Sequence, residues 1–427
     1  MLNEGHGQAR HVGPTACADL DLPVGRRDIG DSRRQGFHVQ ASRRFSTALG
    51  LLIAAWLIAL VAPSLARAGT AEIEDPDPGG PHLTFTAASG EANHLLLLLG
   101  LGGYRVVDLG AAITAGPGCT AVNSSEVFCP FTLDFEETPT VDIFLGDLND
   151  FASISPKFSS DATVDGEDGA DELEISSGCE SEEAACHNLL RGGPGVDTLS
   201  ASAFVLALLD GGAGGDTMEG NRAEVDYRAR VNPVIVDGDG VADDGEAGEG
   251  DNVSPNIDFV LGGSAGDTFT DISAAGRGGN DTFISTGARG VFCDGGSGDD
   301  VFIGGVPADF CFGGPGEDDL SGGGGSDDLE GGGGADTIRG GPGRDYLAGG
   351  LGADTIRGGP GRDSLIGGPD DDLLIGGDGR EFTISGGGGD DTLRARDGLR
   401  ERVSGGRGSD RARVDRIDAV SSIEAFF

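Results

Sequence analysis

The chain has 427 residues, 80 of them glycine, and carries 29 basic against 72 acidic side chains for a net charge of −43. That length accommodates two or three domains, and glycine far above its usual share of about 7%, with no period of three, excludes a collagen-like helix and points to turns. So acidic a chain, with Lys157 as its one lysine, is excluded from seeking nucleic acid or an anionic membrane and should attract cations.

Residues 1–68 read as an N-terminal extension that ends in a secretory signal. Arg43 and Arg44 precede an apolar core from about Ala48 to Ala62, Pro63 breaks it, and Ala66-Arg67-Ala68 is a small-residue cleavage pattern. The apolar run falls short of the roughly 20 residues a membrane anchor needs, and "HLLLLLGLGGY" from His94 is shorter still. The expectation is a secreted or cell-surface protein with no stable membrane span after cleavage. Cys17 leaves with the signal, and an even set remains: Cys119, Cys129, Cys179, Cys186, Cys293 and Cys311. Export favours disulfides, and proximity in sequence suggests Cys119–Cys129 and Cys179–Cys186.

Residues 69–160 form a non-repetitive β region. Short β-branched runs, "LTFTA" 83–87, "YRVV" 104–107 and "TVDIFL" 140–145, lie between turn residues and predict strands. Residues 161–294 hold degenerate repeats: "GEDGADELE" 166–174, "GGPGVDTLS" 192–200, "GGAGGDTME" 211–219, "GGSAGDTFT" 262–270 and "GRGGNDTFI" 276–284. An acidic insertion, "VDGDGVADDGEAGEGDNV" 236–253, interrupts them. From Gly295 the repeat runs in unbroken nines to Ile384; Ser385 is one residue extra, and "GGGGDDTLR" 386–394 is a further unit. "ADTIRGGPGRD" occurs at both 335–345 and 353–363, which sets a longer period of eighteen, two nines per turn of a coil. Residues 395–427 end the chain, beginning beyond the last regular unit, and read as a cap over the open edge of the coil.

The nine positions follow G-G-x-G-x-D-x-U-x, with U aliphatic. Alternation along a strand sends U alone to the interior, a place held by Leu320, Leu329, Ile338, Leu347, Ile356, Leu365 and Leu374. Glycines supply the sharp turn. Stacked turns place aspartates eighteen residues apart, such as Asp336 and Asp354, directly above one another. At roughly 5 Å two such charges repel by about 0.8 kcal/mol in water and several-fold more near a low-dielectric surface. A hard divalent cation reverses that sign, and calcium takes six to eight oxygens of the carboxylate and carbonyl kind these turns offer. One aliphatic residue in nine is a thin core, so metal binding is the expected source of the remaining folding free energy.

These units resemble the RTX, or haemolysin-type, nonapeptide family, closely over 295–394 and partially over 161–294. The resemblance implies an all-β fold, a right-handed parallel β-roll or β-helix solenoid, with Ca2+ in its loops. Carried onto this sequence, the implied ligands are Asp300, Asp309, Asp318, Asp327, Asp336, Asp345, Asp354, Asp363, Asp372 and Asp391, and in the degenerate units Asp197, Asp216, Asp267 and Asp281. Pro307 and Asp370 replace the fourth glycine and Glu381 replaces the aspartate, so those loops depart from the pattern. Residues 225–253 resemble an insertion of exported bacterial calcium-binding repeat proteins, and Glu424-Ala425-Phe426-Phe427 is similar to a type I export ending. Cys293 and Cys311, one coil apart, fall within reach of a disulfide if the coils stack about 4.8 Å apart.

Catalytic motifs are sparse. None of His6, His11, His38, His82, His94 and His187 forms H-E-x-x-H. Gly262-Gly263-Ser264-Ala265-Gly266 fits G-x-S-x-G through repeat positions, and no histidine follows it. The acidic insertion breaks EF-hand spacing, with Ala242 where glycine is required. The expectation is a non-enzymatic secreted calcium binder, an adhesin or envelope component with a cell-surface partner; the alternative is a calcium-dependent hydrolase with its site in residues 69–160.

Overall fold

Strand alternation and glycine turns recur along the chain, and the computed structural model is all β, with no helix among the described residues. It describes residues 68–427 apart from 75–79, 101, 132–138, 156–160, 177–187, 203–205 and 288. The signal before Ala68 and the Cys179–Cys186 pair lie outside the described residues. No described helix is long and apolar enough to cross a membrane.

Within the unit Ala62–Phe427 the strands form sheets of 18, 9 and 12 members. In the regular repeats each turn of the coil gives one strand to each of two sheets. Asp328–Gly333, Tyr346–Leu351 and Ser364–Pro369 stack in one; Thr337–Arg339, Thr355–Arg357 and Leu373–Ile375 stack in the other. All pair in parallel, with Leu329 on Leu347 and Leu347 on Leu365, which is the expected period of eighteen. The second glycine makes the corner: Gly332 and Gly350 both have φ of 109°, a conformation side-chain-bearing residues rarely adopt. Leu320, Leu329, Ile338, Leu347, Ile356, Leu365 and Leu374 are all buried, as the repeat requires.

The parallel stack begins well upstream of the repeats. His82–Thr86 pairs with Thr140–Phe144, which pairs with Asp161–Asp165; His94–Gly100 pairs with Phe151–Ser155, which pairs with Glu172–Ile175. Antiparallel strands cover the first coil's edges: Gly69–Glu74 on His82–Thr86, and Gly103–Asp108 on His94–Gly100. Glu126–Pro130 extends the second of these, and Cys119–Cys129 ties it to the segment before, with Cα atoms 4.1 Å apart. Such antiparallel coverage satisfies an edge that a bare solenoid would leave open.

The acidic insertion is where the chain changes sheets. Asn252–Val253 pairs with Thr217–Gly220 at one end of the 9-stranded sheet, while Val234–Val236 pairs with Thr268–Thr270 in the 12-stranded one. Asp244 accepts the Asp237 and Val253 amides at 2.8 Å each, and Asp251 accepts the Asp216 amide and the Tyr227 hydroxyl at 2.9 Å each. Much of its acidity therefore closes hydrogen bonds across the joint. At the other end the coil continues past the last regular unit: Arg402–Arg407 pairs with Ala419–Ser421 and Arg411–Val414 with Ala425–Phe426.

Candidate metal centre

The decisive local fact is the strand's period of two. In D-x-U-x-G the aspartate, the aliphatic residue and the next unit's first glycine all face inward: Asp345, Leu347 and Gly349 are each buried. This corrects the expectation that U alone points in. The strand's alternation extends back into the turn and forward into the next glycine, so the carboxylate enters the coil two residues before the core side chain.

Every aspartate expected from the repeats stands in such a column. Along one side run Asp267, Asp281, Asp300, Asp318, Asp336, Asp354, Asp372 and Asp391; along the other, Asp309, Asp327, Asp345 and Asp363; Asp197 and Asp216 belong to an earlier column. In each column the backbone N–H of one aspartate donates to Oδ1 of the aspartate one coil on. The distance is 2.8 Å from Asp300 to Asp318, 2.9 Å from Asp336 to Asp354 and 3.0 Å from Asp345 to Asp363. These side chains are almost wholly buried, with Asp336 and Asp354 each 1% exposed. One oxygen of each carboxylate thus serves the coil.

The other oxygen is left over. Oδ2 of Asp197, Asp216, Asp281, Asp300, Asp318, Asp327, Asp336, Asp345, Asp354, Asp363, Asp372 and Asp391 is buried without a hydrogen-bond partner. A buried polar group in that state costs on the order of 1–3 kcal/mol, more for a charge. The columns also share a cradle. A Cβ placed on Gly331 would overlap Asp336 Oδ2 and lie 2.7 Å from the Gly349 carbonyl oxygen; at Gly367 it would overlap Asp372 Oδ2 and lie 2.6 Å from the Gly386 carbonyl. The free carboxylate oxygen and a carbonyl of the following coil therefore converge over a glycine that has no side chain to fill the space. Hard oxygens of both kinds are what calcium takes, and the ion would supply positive charge between carboxylates that otherwise repel.

Burial pushes these acids up, with neighbouring aspartates of the column adding to it at several positions. Asp216, Asp281, Asp318, Asp327 and Asp372 rise to about 7, and Asp197, Asp300, Asp354, Asp363 and Asp391 to about 6. Asp336 and Asp345 are raised by burial too. Asp267 and Asp309 are raised by burial as well, but their second oxygens are not free: they accept the Gly263 amide at 2.8 Å and the Gly305 amide at 3.2 Å. The Pro307 departure lies in the loop whose aspartate, Asp309, is closed in this way.

Four further aspartates extend the columns beyond the expected set. Asp150, Asp171 and Asp251 flank Asp197 and Asp216, and Asp410 follows Asp391, with Glu424 accepting the Asp410 amide at 2.9 Å. Asp171 and Asp410 hold the aspartate place in "GEDGADELE" and "GGRGSDRAR" and were legible in the repeat register; Asp150 and Asp251 carry no repeat signal. Cys293 and Cys311 face each other in adjacent parallel strands and are bonded, with Cα atoms 4.6 Å apart. His82 acquires partners that its sequence context does not reveal: Nδ1 lies 2.7 Å from Thr140 Oγ1 and Nε2 lies 3.3 Å from Asp142.

Compared with known proteins, residues 294–320, 312–347, 321–356 and 348–380 match the RTX calcium-binding nonapeptide repeat, in 4 copies. No curated protein matches the chain.

Proposed function

We propose that this chain, which carries RTX calcium-binding repeats over 294–380, is a secreted, non-enzymatic protein whose roll assembles on calcium. It would act outside the cell or at its surface, as an adhesin or envelope component. One observation carries the reading: column after column of inward aspartates, most with one oxygen accepting the amide of the coil before and the other buried and unpartnered, set beside a glycine carbonyl as at Asp336 and Asp372. Calcium here is a structural ion. Deprotonated columns push adjacent coils apart, and neutralising them lets the backbone ladder and the thin aliphatic core hold. RTX-repeat proteins are typically exported, and the signal over 45–68 and the two disulfides among the described residues support that route for this chain.

The hydrolase alternative has one observation in its favour, the Thr140–His82–Asp142 contact. His82 pairs with Thr140 on adjacent parallel strands, and the His82 and Asp142 side chains are 31% and 35% exposed. That arrangement reads as a cross-strand contact on the outer face. Calorimetric calcium titration of the secreted chain, followed in parallel by far-UV circular dichroism, tests the main reading. We expect several ions per chain and a β signal that grows with them. Negligible uptake at millimolar calcium, or a full β signal for 295–394 in excess chelator, would overturn it.

A further inference from the structure

The shorter aspartate column ends at Asp363, and there the pattern changes. Glu381 stands in the aspartate's place, and Leu365 pairs with Ile384, one residue later than the period demands. Glu401 occupies the inward place of the next coil, two residues before Val403, which pairs with Ile384. Asp397 completes a group: its carboxylate accepts the Gly379 amide at 3.2 Å and the Leu399 amide at 2.7 Å, which fixes it between the two coils. One carboxylate oxygen each from Glu381, Asp397 and Glu401 lies within 4.8 Å of the others.

Proximity of acids would not by itself make a site. Glu381 is 3% exposed and Glu401 1%, and Oε1 of Glu381 and both carboxylate oxygens of Glu401 are buried with no donor group on them; the side chain set against Glu401 is a further acid, Asp418, which accepts the Glu401 amide at 3.2 Å. Three of the arginines beside them are otherwise engaged: Arg362 and Arg402 lie over the Phe382 ring at 5.3 and 5.8 Å, and Arg380 Nε donates to the Arg400 carbonyl at 3.2 Å. Among the described residues no arginine pairs with Glu381 or Glu401. Buried carboxylates are retained in folded proteins when they are paired or bind metal. The glycine cradle of the columns is also absent here. Over Gly376 a Cβ would meet carbon atoms, Glu381 Cδ at 2.9 Å and Ile384 Cδ1 at 3.1 Å, with Glu381 Oε1 at 3.1 Å and no carbonyl among the nearest atoms. The matched repeats stop at residue 380.

We propose that Glu381, Asp397 and Glu401 form a divalent-cation site of a second kind, built from side-chain carboxylates and separate from the aspartate columns. An all-oxygen, carboxylate-rich donor set suits a hard ion, calcium first. By joining Glu381 to the next coil's Asp397 and Glu401, the ion would clamp the final coils at the point where the regular columns no longer continue.

The experiment uses the full secreted chain with Ca2+ as the probe. Equilibrium dialysis with elemental analysis counts bound ions in the parent, in Glu401→Gln, in Asp397→Asn and in the column variant Asp336→Asn. Hydrogen exchange in saturating calcium follows residues 396–427. Glu401→Gln should bind one ion fewer and lose protection in that segment, and Asp397→Asn, which keeps an oxygen for the Leu399 amide and gives up the weaker bond from Gly379, should weaken the same ion. Asp336→Asn should leave the segment's protection unchanged. If Glu401→Gln and Asp397→Asn both keep the parent's ion count and exchange pattern, the glutamates are buried neutral acids and the proposal fails. Should the columns take up no calcium at all, this site would still register as a single ion in the parent that Glu401→Gln abolishes.

Discussion

Gly349→Ala isolates the cradle from every other role glycine has in this chain. Gly349 lies in the strand Tyr346–Leu351 and lacks a positive φ, so alanine fits the backbone there. Such a replacement ordinarily stabilises by about 0.4–1 kcal/mol through the unfolded chain. Here the new methyl would overlap Asp354 Oδ2 and lie 2.7 Å from the Gly367 carbonyl oxygen. Overpacking of that kind costs about 1–3 kcal/mol, and the crowded oxygens would lose an ion worth about 2.7 kcal/mol at a hundredfold excess of calcium over its Kd. The balance is a loss of about 3–5 kcal/mol in calcium. Gly333→Ala is the matched control: it also lies in a strand without positive φ, and its Cβ meets nothing nearer than Leu351 Cβ at 4.0 Å. Thermal unfolding by circular dichroism and calcium counting by calorimetry compare the two. Gly333→Ala should equal or exceed the parent and bind every ion, while Gly349→Ala melts lower and binds fewer. Equal melting and equal ion counts for both variants would refute the cradle.

Two other outcomes follow from the columns and their fastening. In chelator, acidification should build β structure: carboxyls raised from 3.8 to about 6 or 7 in the coil, such as Asp354 and Asp318, lend stability fully present below pH 3.8 and lost as pH rises through 6 to 7. A circular dichroism titration in chelator from pH 8 to pH 5 that shows no gain contradicts this; with calcium present the trend should reverse, because protons then compete with the ion. Replacing both Cys293 and Cys311 by alanine opens a loop with a sequence separation of 18 and should cost about 3 kcal/mol in calcium, read as a lower melting temperature without reductant; an unchanged melting temperature would contradict this.

Much of the candidate site could be read from residue spacing. The eighteen-residue recurrence of "ADTIRGGPGRD" anticipates Ile338 on Ile356 and Arg339 on Arg357 in adjacent strands, and it places Cys293 opposite Cys311. The direction of the carboxylate could not be read so. Treating the first six residues of each unit as a loop puts Asp345 on the outside; only stacking shows that the strand's alternation already governs it, because the Asp327 amide donates to Asp345 Oδ1 one coil on. His82, Asp150 and Asp251 were opaque for a related reason: their partners lie 58, 21 and 35 residues away, in segments with no shared period.

Local chemistry alone thus determined the coil, its period, its core residues and its appetite for calcium, because a nine-residue pattern repeats its own turn and strand wherever it occurs. Only the tertiary structure decided that the aspartates face inward in hydrogen-bonded columns, that antiparallel strands close the first coil, and that Glu381, Asp397 and Glu401 converge where the pattern breaks. Those features depend on which coil lies above which, and contacts between coils are set by the stacking of the whole chain rather than by any one unit.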